Sequence, residues 1–211
     1  MVSILFLDIK GAFLNAVTDQ LLHNMKKRWL LEKIVQFIKR LLRGRSTRLK
    51  FNDYVLDPIP INNGVGQGDP VSLPLFNYYN ADLLELSTIL QALGYVDNTM
   101  VMAIGEDYEE TTQAIFEHME GENGGFKWSA DHKSKFKINK LAIMHLGHKK
   151  HRSLTGTPHP LHKPKLMPQG KEVNTVDCYK YLGIVIDDKL TWRKHKDKDI
   201  DNATKWVMQC R

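Results

Sequence analysis

Two carboxylates in this 211-residue chain stand where they could share a divalent ion. The first, Asp8, closes the apolar run VSILFL at 2–7 and begins the motif FLDIKGAF at 6–13. A carboxylate at the end of a strand is set at the rim of a sheet. The second, Asp97, lies in GYVDN at 94–98, a tight polar turn between apolar segments, which projects it clear of the sheet. A third segment, GVGQGDPVS at 64–72, carries three glycines, so its backbone can approach a planar ligand closely. Mg²⁺ prefers oxygen ligands and keeps waters and phosphate oxygens around it, so two aspartates and a triphosphate form a sufficient cage. Two such ions ~3.5–4 Å apart activate an attacking hydroxyl and steady the leaving oxygen of an in-line phosphoryl transfer. Each segment alone has an ordinary reading: a turn former, a strand cap and a connector. The combination and its order point to chemistry.

The elements that must position these groups follow from periodicity. VSILFL reads as a buried strand. A helix starts at Thr18, with Thr18 as N-cap and Leu21, Leu22, Met25 and Trp29 at helical spacing. A second covers about 31–43, with Ile34, Ile38, Leu41 and Leu42 on one face. TRLKF, Asn52-Asp53 and YVLDPIPI read as a hairpin whose two prolines mark an edge strand. Leu75 to Leu90 reads as a helix, and LGYVDNTMVMAI at 93–104 as two strands around a turn at Asp97-Asn98. Residues 107–120 form an amphipathic helix with Tyr108, Thr112, Ile115 and Met119 inward, and Gly124-Gly125 breaks it off. KLAIMHL at 140–146 and YKYLGIVI at 179–186 read as strands, and 195–209 as a basic helix. The basic stretch 147–176 holds four prolines and reads as a loop; within it, HKKHR at 148–152 is a solvated segment rather than an import signal. The order predicts an α+β fold with a small antiparallel sheet and helices packed on one face.

Composition narrows the classes. Hydrophobic residues are 42% and charged residues 26%, which excludes a disordered tail, a collagen and a coiled-coil rod. Two cysteines, Cys178 and Cys210, are too few for a disulfide framework or a structural zinc site and suit a reducing compartment. No apolar run reaches the ~18 residues of a membrane span. The opening MVSILFLD has no basic n-region and does not read as a secretory signal. Charge is blocked along the chain. Residues 1–60 hold 11 basic and 5 acidic groups, 61–125 hold 11 acids and no Lys or Arg, and 126–211 hold 19 basic and 8 acidic groups. Two basic blocks around an acidic middle suit a polyanion held over a cation site, or else three solvated surfaces of differing sign.

Together the motifs resemble the reverse transcriptase of non-LTR (LINE-type) retrotransposons. FLDIKGAF is similar to the family's first palm motif, and GVGQGDPVSLPLFNYYNADLL to its Pro-Gln-Gly loop and following helix. GYVDNTMVMAIG resembles its Tyr/Phe-x-Asp-Asp hairpin, KFKINKLAIMHLGHKK the next palm motif, and YKYLGIVIDDKLTW the element that grips the primer. IDNATKW looks like the opening of the thumb, so the resemblance runs from Ser3 to about Trp206. It implies a polymerase palm over 1–176 with residual fingers at 14–61, then a primer-grip element and the start of a thumb over 177–211. It implies an RNA-directed DNA polymerase that uses Mg²⁺ or Mn²⁺, two ions, with an RNA template, a DNA primer and deoxynucleoside triphosphates as partners. It implies an intracellular protein, nuclear or cytoplasmic, with no membrane. Asp8 and Asp97 would be catalytic metal ligands, with Asn98 at the third, degenerate metal position. Phe13 would be the steric gate against a ribose 2′-hydroxyl. Gln67 and Gly68 would lie along the template base and incoming nucleotide. Lys140 would protonate the pyrophosphate, and Tyr181, Leu182 and Gly183 would form the primer grip.

The sequence also departs from the family. Asn98 replaces the second aspartate of the hairpin pair and removes one negative charge beside the ion, so impaired metal binding is expected. Gly66 stands for the usual proline and loosens the loop; Asp69 stands for the usual serine and adds charge where a template base should stack. The chain begins inside the first palm motif, so the expectation is a truncated and partly degenerate copy without the fingers that hold the triphosphate. The alternative function is a catalytically inactive retroelement remnant that at most binds nucleic acid.

Overall fold

A computed structural model of the chain describes residues 1–85, 90–147, 151–152, 158–159 and 162–210. The chain enters as the central strand of its own sheet, β1 (Val2–Asp8), and turns into α1 (Ala12–Asn15), α2 (Thr18–Lys27) and α3 (Glu32–Leu42). The strands β2 (Arg45–Thr47), β3 (Lys50–Phe51), β4 (Tyr54–Val55) and β5 (Ile59–Ile61) make the expected hairpin, β2 pairing with β5 and β3 with β4. Then come α4 (Ser72–Asn80), a 3₁₀ turn at Ala81–Leu84, β6 (Leu90–Tyr95), β7 (Asn98–Ile104), α5 (Tyr108–Glu120) and α6 (Gly125–Asp131). A 3₁₀ turn at Ile138–Lys140 leads into β8 (Ala142–Leu146) and a short pair, β9 (His151–Arg152) with β10 (Pro158–His159). The chain closes with β11 (Asn174–Thr175), β12 (Cys178–Tyr181), β13 (Ile184–Asp187) and α7 (Arg193–Gln209).

Five strands form the main sheet in the order β11-β8-β1-β7-β6, antiparallel except for β11 on β8. Nearly all of β1 is buried, which is why its sequence is a continuous apolar run rather than an alternation. Its alternate side chains still part company. Leu5 and Leu7 join Val101, Ile143 and the helical residues Leu21, Met25, Phe76, Ile115 and Trp128 in the larger core. Ile4 and Phe6 point the other way, into a second core with Ala142, Met144 and Tyr181. The helices α2, α4, α5 and α6 thus lie on one face, as the periodicity predicts. The other face is roofed by the β12–β13 hairpin, whose Tyr179 ring stacks on Phe6 at 4.0 Å and 10°. Such a stacked pair adds ~0.5–1.5 kcal/mol beyond the area it buries.

Several boundaries differ from the sequence reading, for physical reasons. Thr18 is the first helical residue rather than the cap, and its hydroxyl has no partner among the described residues. The buried face of α3 is Val35, Ile38 and Leu42; Ile34 and Leu41 are exposed, because apolar residues run around more than half of that helix. The helix expected over Leu75–Leu90 stops early: α4 ends at Asn80, residues 86–89 lie outside the described residues, and Leu90 already opens β6. The hairpin turn is Val96-Asp97 rather than Asp97-Asn98, with Val96 at φ 55° and Asn98 taken into β7. The break after α5 falls at residues 121–124, and Gly125 already starts α6. YKYLGIVI is two strands, not one. They meet at a turn in which Leu182 (φ 48°) and Gly183 (φ 89°) are both left-handed, as a two-residue hairpin turn requires. Most of HKKHR falls outside the described residues.

One contact brings the glycine-rich loop to the end of β1. Gly64 N–H donates to Ala16 O at 2.7 Å, and Val65 N–H to Phe13 O at 2.7 Å. Gly64 has φ 86°, and a Cβ there would lie 2.7 Å from Leu14 O and 2.9 Å from Phe13 O. Gly64→Ala is therefore expected to lower stability by about 1–3 kcal/mol, through both strain and collision. Urea denaturation reads the change; an unaltered midpoint would mean that the loop is not pinned at this point.

Candidate active site

Antiparallel pairing sets Asp8 opposite Asn98, so the last residue of β1 meets the first residue of β7. The next step of the same ladder joins Ile9 N–H to Asp97 O at 2.9 Å. Two acidic residues 89 positions apart thus share one corner of the sheet. Asp8 is 6% exposed and follows Ile4 and Phe6 along the hairpin-covered face. Asp97 is half-buried in the turn, and its Oδ1 accepts from Asn98 Nδ2 at 2.9 Å. The register that makes these neighbours also puts Asn98, Met100 and Phe6 on the same face.

Two lysines occupy Asp8. Lys140 Nζ donates to Oδ2 at 2.8 Å, and Lys137 Nζ lies 2.7 Å from Oδ1. At that separation the Lys137 ammonium is paired with the buried Oδ1, which has no other hydrogen-bond partner among the described residues. Burial alone would raise the carboxyl of Asp8; the two ammoniums outweigh it and hold Asp8 below the ordinary carboxylate range. The hydrogen bond to Asp8, then its charge, holds Lys140 above the usual lysine value. Lys137 was not singled out by the sequence reading. Its signal is the K-x-x-K spacing across a single 3₁₀ turn, which brings both ammoniums to one carboxylate.

The remaining candidates divide. Phe13 is half-buried and packs edge-on against Phe76 at 5.4 Å, so one side of its ring belongs to the core. Gln67 and Gly68 are exposed on the glycine-rich loop, with no hydrogen bond to the carboxylates among the described residues. Asp69 is exposed, and its Oδ1 accepts from Val71 N–H at 2.9 Å, tying down the entry to α4. Tyr181 is buried, and its hydroxyl donates to Leu93 O at 3.1 Å and Asn98 O at 3.3 Å, which fastens the hairpin beside Asp97. Leu182 and Gly183 are exposed at the hairpin tip. Tyr179, a second residue missed in the sequence, shares the face of Tyr181 two positions on. Burial, and then the negative charge of Asp8, raises its phenol above the ordinary value.

The oxygens at this corner fit a hard divalent cation. Asp8 and Asp97 supply carboxylates and Asn98 an amide oxygen, with Lys137 and Lys140 standing as cations on the two oxygens of Asp8. Among the described residues no three His, Cys, Asp or Glu side chains cluster, because the third position is Asn98.

A strand-end aspartate, a hairpin aspartate and a glycine-rich loop around an antiparallel sheet define a polymerase palm. The family model for reverse transcriptase (RNA-dependent DNA polymerase) matches residues 2–186, and the chain belongs to that family. It is similar to the RNA-directed DNA polymerase from mobile element jockey of Drosophila melanogaster, at 23% identity over 197 residues. The corresponding Drosophila funebris protein is 24% identical over 198 residues. Both alignments cover 90% of this chain and 20% of the relative, so the chain spans about a fifth of these curated relatives. Within the family its likeness is to the polymerases of non-LTR elements. A solved structure of telomerase from Candida albicans, in complex with a fragment of telomeric RNA, shares the fold. Its TM-score is 0.51 at 12% identity, over 90% of this chain and 31% of that one. No helix among the described residues is long and apolar enough to cross a membrane.

The depressed Asp8 carboxyl links this corner to stability. A carboxyl lower in the folded than in the unfolded chain stabilises at neutral pH, and the gain is lost as pH falls through the folded value. Asp8→Asn is therefore expected to be less stable than the parent at pH 7, with the gap closing below about pH 4. Denaturant midpoints between pH 3 and 7 test this; a gap that stays constant across the range sinks it.

Proposed function

We propose that this chain is the palm of an RNA-directed DNA polymerase of a non-LTR mobile element, which adds deoxynucleotides to a primer 3′-hydroxyl on an RNA template. The observation that carries the reading is the meeting of Asp8 and Asp97 across the β1–β7 pair. When bound, Mg²⁺ or Mn²⁺, as a pair of ions, lowers the pKa of the attacking hydroxyl and offsets the charge on the leaving pyrophosphate. Asp8 and Asp97 would hold these ions, with Asn98 a weak third ligand. Phe13, braced by Phe76, presents the outer edge of its ring against the sugar and leaves no room for a 2′-hydroxyl. Gln67 and Gly68 line the template base and incoming nucleotide. Lys140 delivers a proton to the leaving pyrophosphate after it releases Asp8 Oδ2. Tyr181 anchors the hairpin whose tip, Leu182 and Gly183, meets the primer. Residues 1–176 make the palm with residual fingers, and 177–211 the primer-grip element and the start of the thumb. Basic residues of 126–211 neutralise the duplex backbone.

A second reading, a non-catalytic remnant that binds nucleic acid, draws support from the neutral Asn98 and the lysine-capped Asp8. Primer extension with Mg²⁺ and Mn²⁺ separates the two. Under the polymerase reading, Asp8→Ala abolishes extension while RNA binding persists and weakens with salt as counterions are released. Extension by the parent chain that survives Asp8→Ala overturns it, and no extension by the parent favours the remnant. Asn98→Asp restores a charge at the corner and is expected to raise extension about tenfold at limiting Mg²⁺. An unchanged Mg²⁺ requirement in that variant would mean that charge at position 98 does not govern the site.

A further inference from the structure

We propose that Lys137 is the internal counter-ion of the cation position: it occupies Asp8 Oδ1 in the resting chain and must yield it before a divalent ion can bind. This rests on the reading of Asp8 and Asp97 as the cation's ligands. The backbone makes Lys137 a fixture rather than a passing surface charge. Residues 135–137 run antiparallel beside residues 8–10, with Lys137 N–H donating to Asp8 O at 2.8 Å and Lys10 N–H to Lys135 O at 2.8 Å. Between them Phe136 is buried and bridges Ile9, which turns the flanking lysines outward. The side chain of Lys137 is 33% exposed, against 60% for Lys140, so its charge is the less screened by water. It pairs at 2.7 Å with the buried Oδ1 of Asp8, which has no other partner among the described residues.

Charge counting at the corner points the same way. Asp8 and Asp97 bring two negative charges, Lys137 and Lys140 two positive ones, and Asn98 none. The corner is neutral before any ion arrives. A divalent ion therefore competes with a cation tethered to the same fold, whose effective concentration at Oδ1 is high. Removing the Lys137 charge and adding a carboxylate through Asn98→Asp each shift the corner by one negative unit, although they act on different sides of the site. Lys137 is thus a positioning residue that sets the threshold concentration of the metal.

Mn²⁺ binding to the intact chain, followed by the electron paramagnetic resonance of the free ion, tests this without any need for turnover. Lys137→Met is expected to bind Mn²⁺ about tenfold more tightly than the parent. Lys137→Arg, which keeps the charge, should bind like the parent. So should Lys133→Met, which removes the same charge from a side chain that makes no ion pair with Asp8. Lys137→Gln repeats the measurement if circular dichroism shows Lys137→Met to be unfolded. Asp8→Asn should weaken binding in both the parent and the Lys137→Met backgrounds. If Asp8→Asn weakens binding but neither Lys137→Met nor Lys137→Gln strengthens it, or if Lys133→Met strengthens it equally, the counter-ion role is wrong and the cation site stands. If Asp8→Asn changes nothing in either background, the cation site itself is wrong.

Discussion

The register of β1 on β7 is the constraint on which the rest depends. Side chains alternate along a strand, so a slip of one residue would carry Asp8 to the helix-covered face and leave Leu7 at the corner. The register is held from both sides. Leu5 and Leu7 must enter the larger core with the helices, and Ile4 and Phe6 must enter the smaller one under Tyr179 and Tyr181. A strand with two buried faces has no polar side to trade, which makes its pairing hard to shift. The acidic corner inherits its geometry from this apolar packing rather than from any attraction between its own members.

Left to itself, a carboxylate as deeply buried as Asp8 is costly unless opposite charge is supplied. The fold supplies it from the segment 135–140, laid along residues 8–10 by backbone hydrogen bonds. Under the proposed reading, the lysines that make the folded corner tolerable are those a metal ion would have to displace. Stability and the proposed ion binding would then draw on the same two oxygens of Asp8, with the neutral Asn98 tilting the balance toward the resting arrangement.

The hairpin β12–β13 serves both core and site. Tyr179 and Tyr181 bury the second face of the sheet, and the Tyr181 hydroxyl reaches the backbone of Leu93 and Asn98, at either end of the Asp97 turn. The exposed tip is thereby carried on a rigid stem. Its two left-handed residues match the twist of the paired strands, although a leucine in that conformation carries strain that a glycine does not.

Much of this was legible in the chain itself. Strong periodicity located β1, α2, α5 and the 93–104 strand pair, and motif order along the chain identified the family. Boundaries were less legible where local preference and tertiary packing disagree. The run from Leu75 to Leu90 is apolar enough for one helix, yet Leu90 is drawn into β6 by its pairing with Ala103. YKYLGIVI has the residue types of one strand, but folding back at Leu182-Gly183 lets Tyr179 and Tyr181 reach Phe6. By itself the sequence determined residue types, their order and their periods, because these are local properties: an acid at the end of an apolar run, an acid in a tight turn, glycines in a loop. Only the tertiary structure decided that Asp8 faces Asn98, and that Lys137 rather than any other lysine covers its inner oxygen. Those are distances between segments far apart in the chain, set by which faces must be buried together.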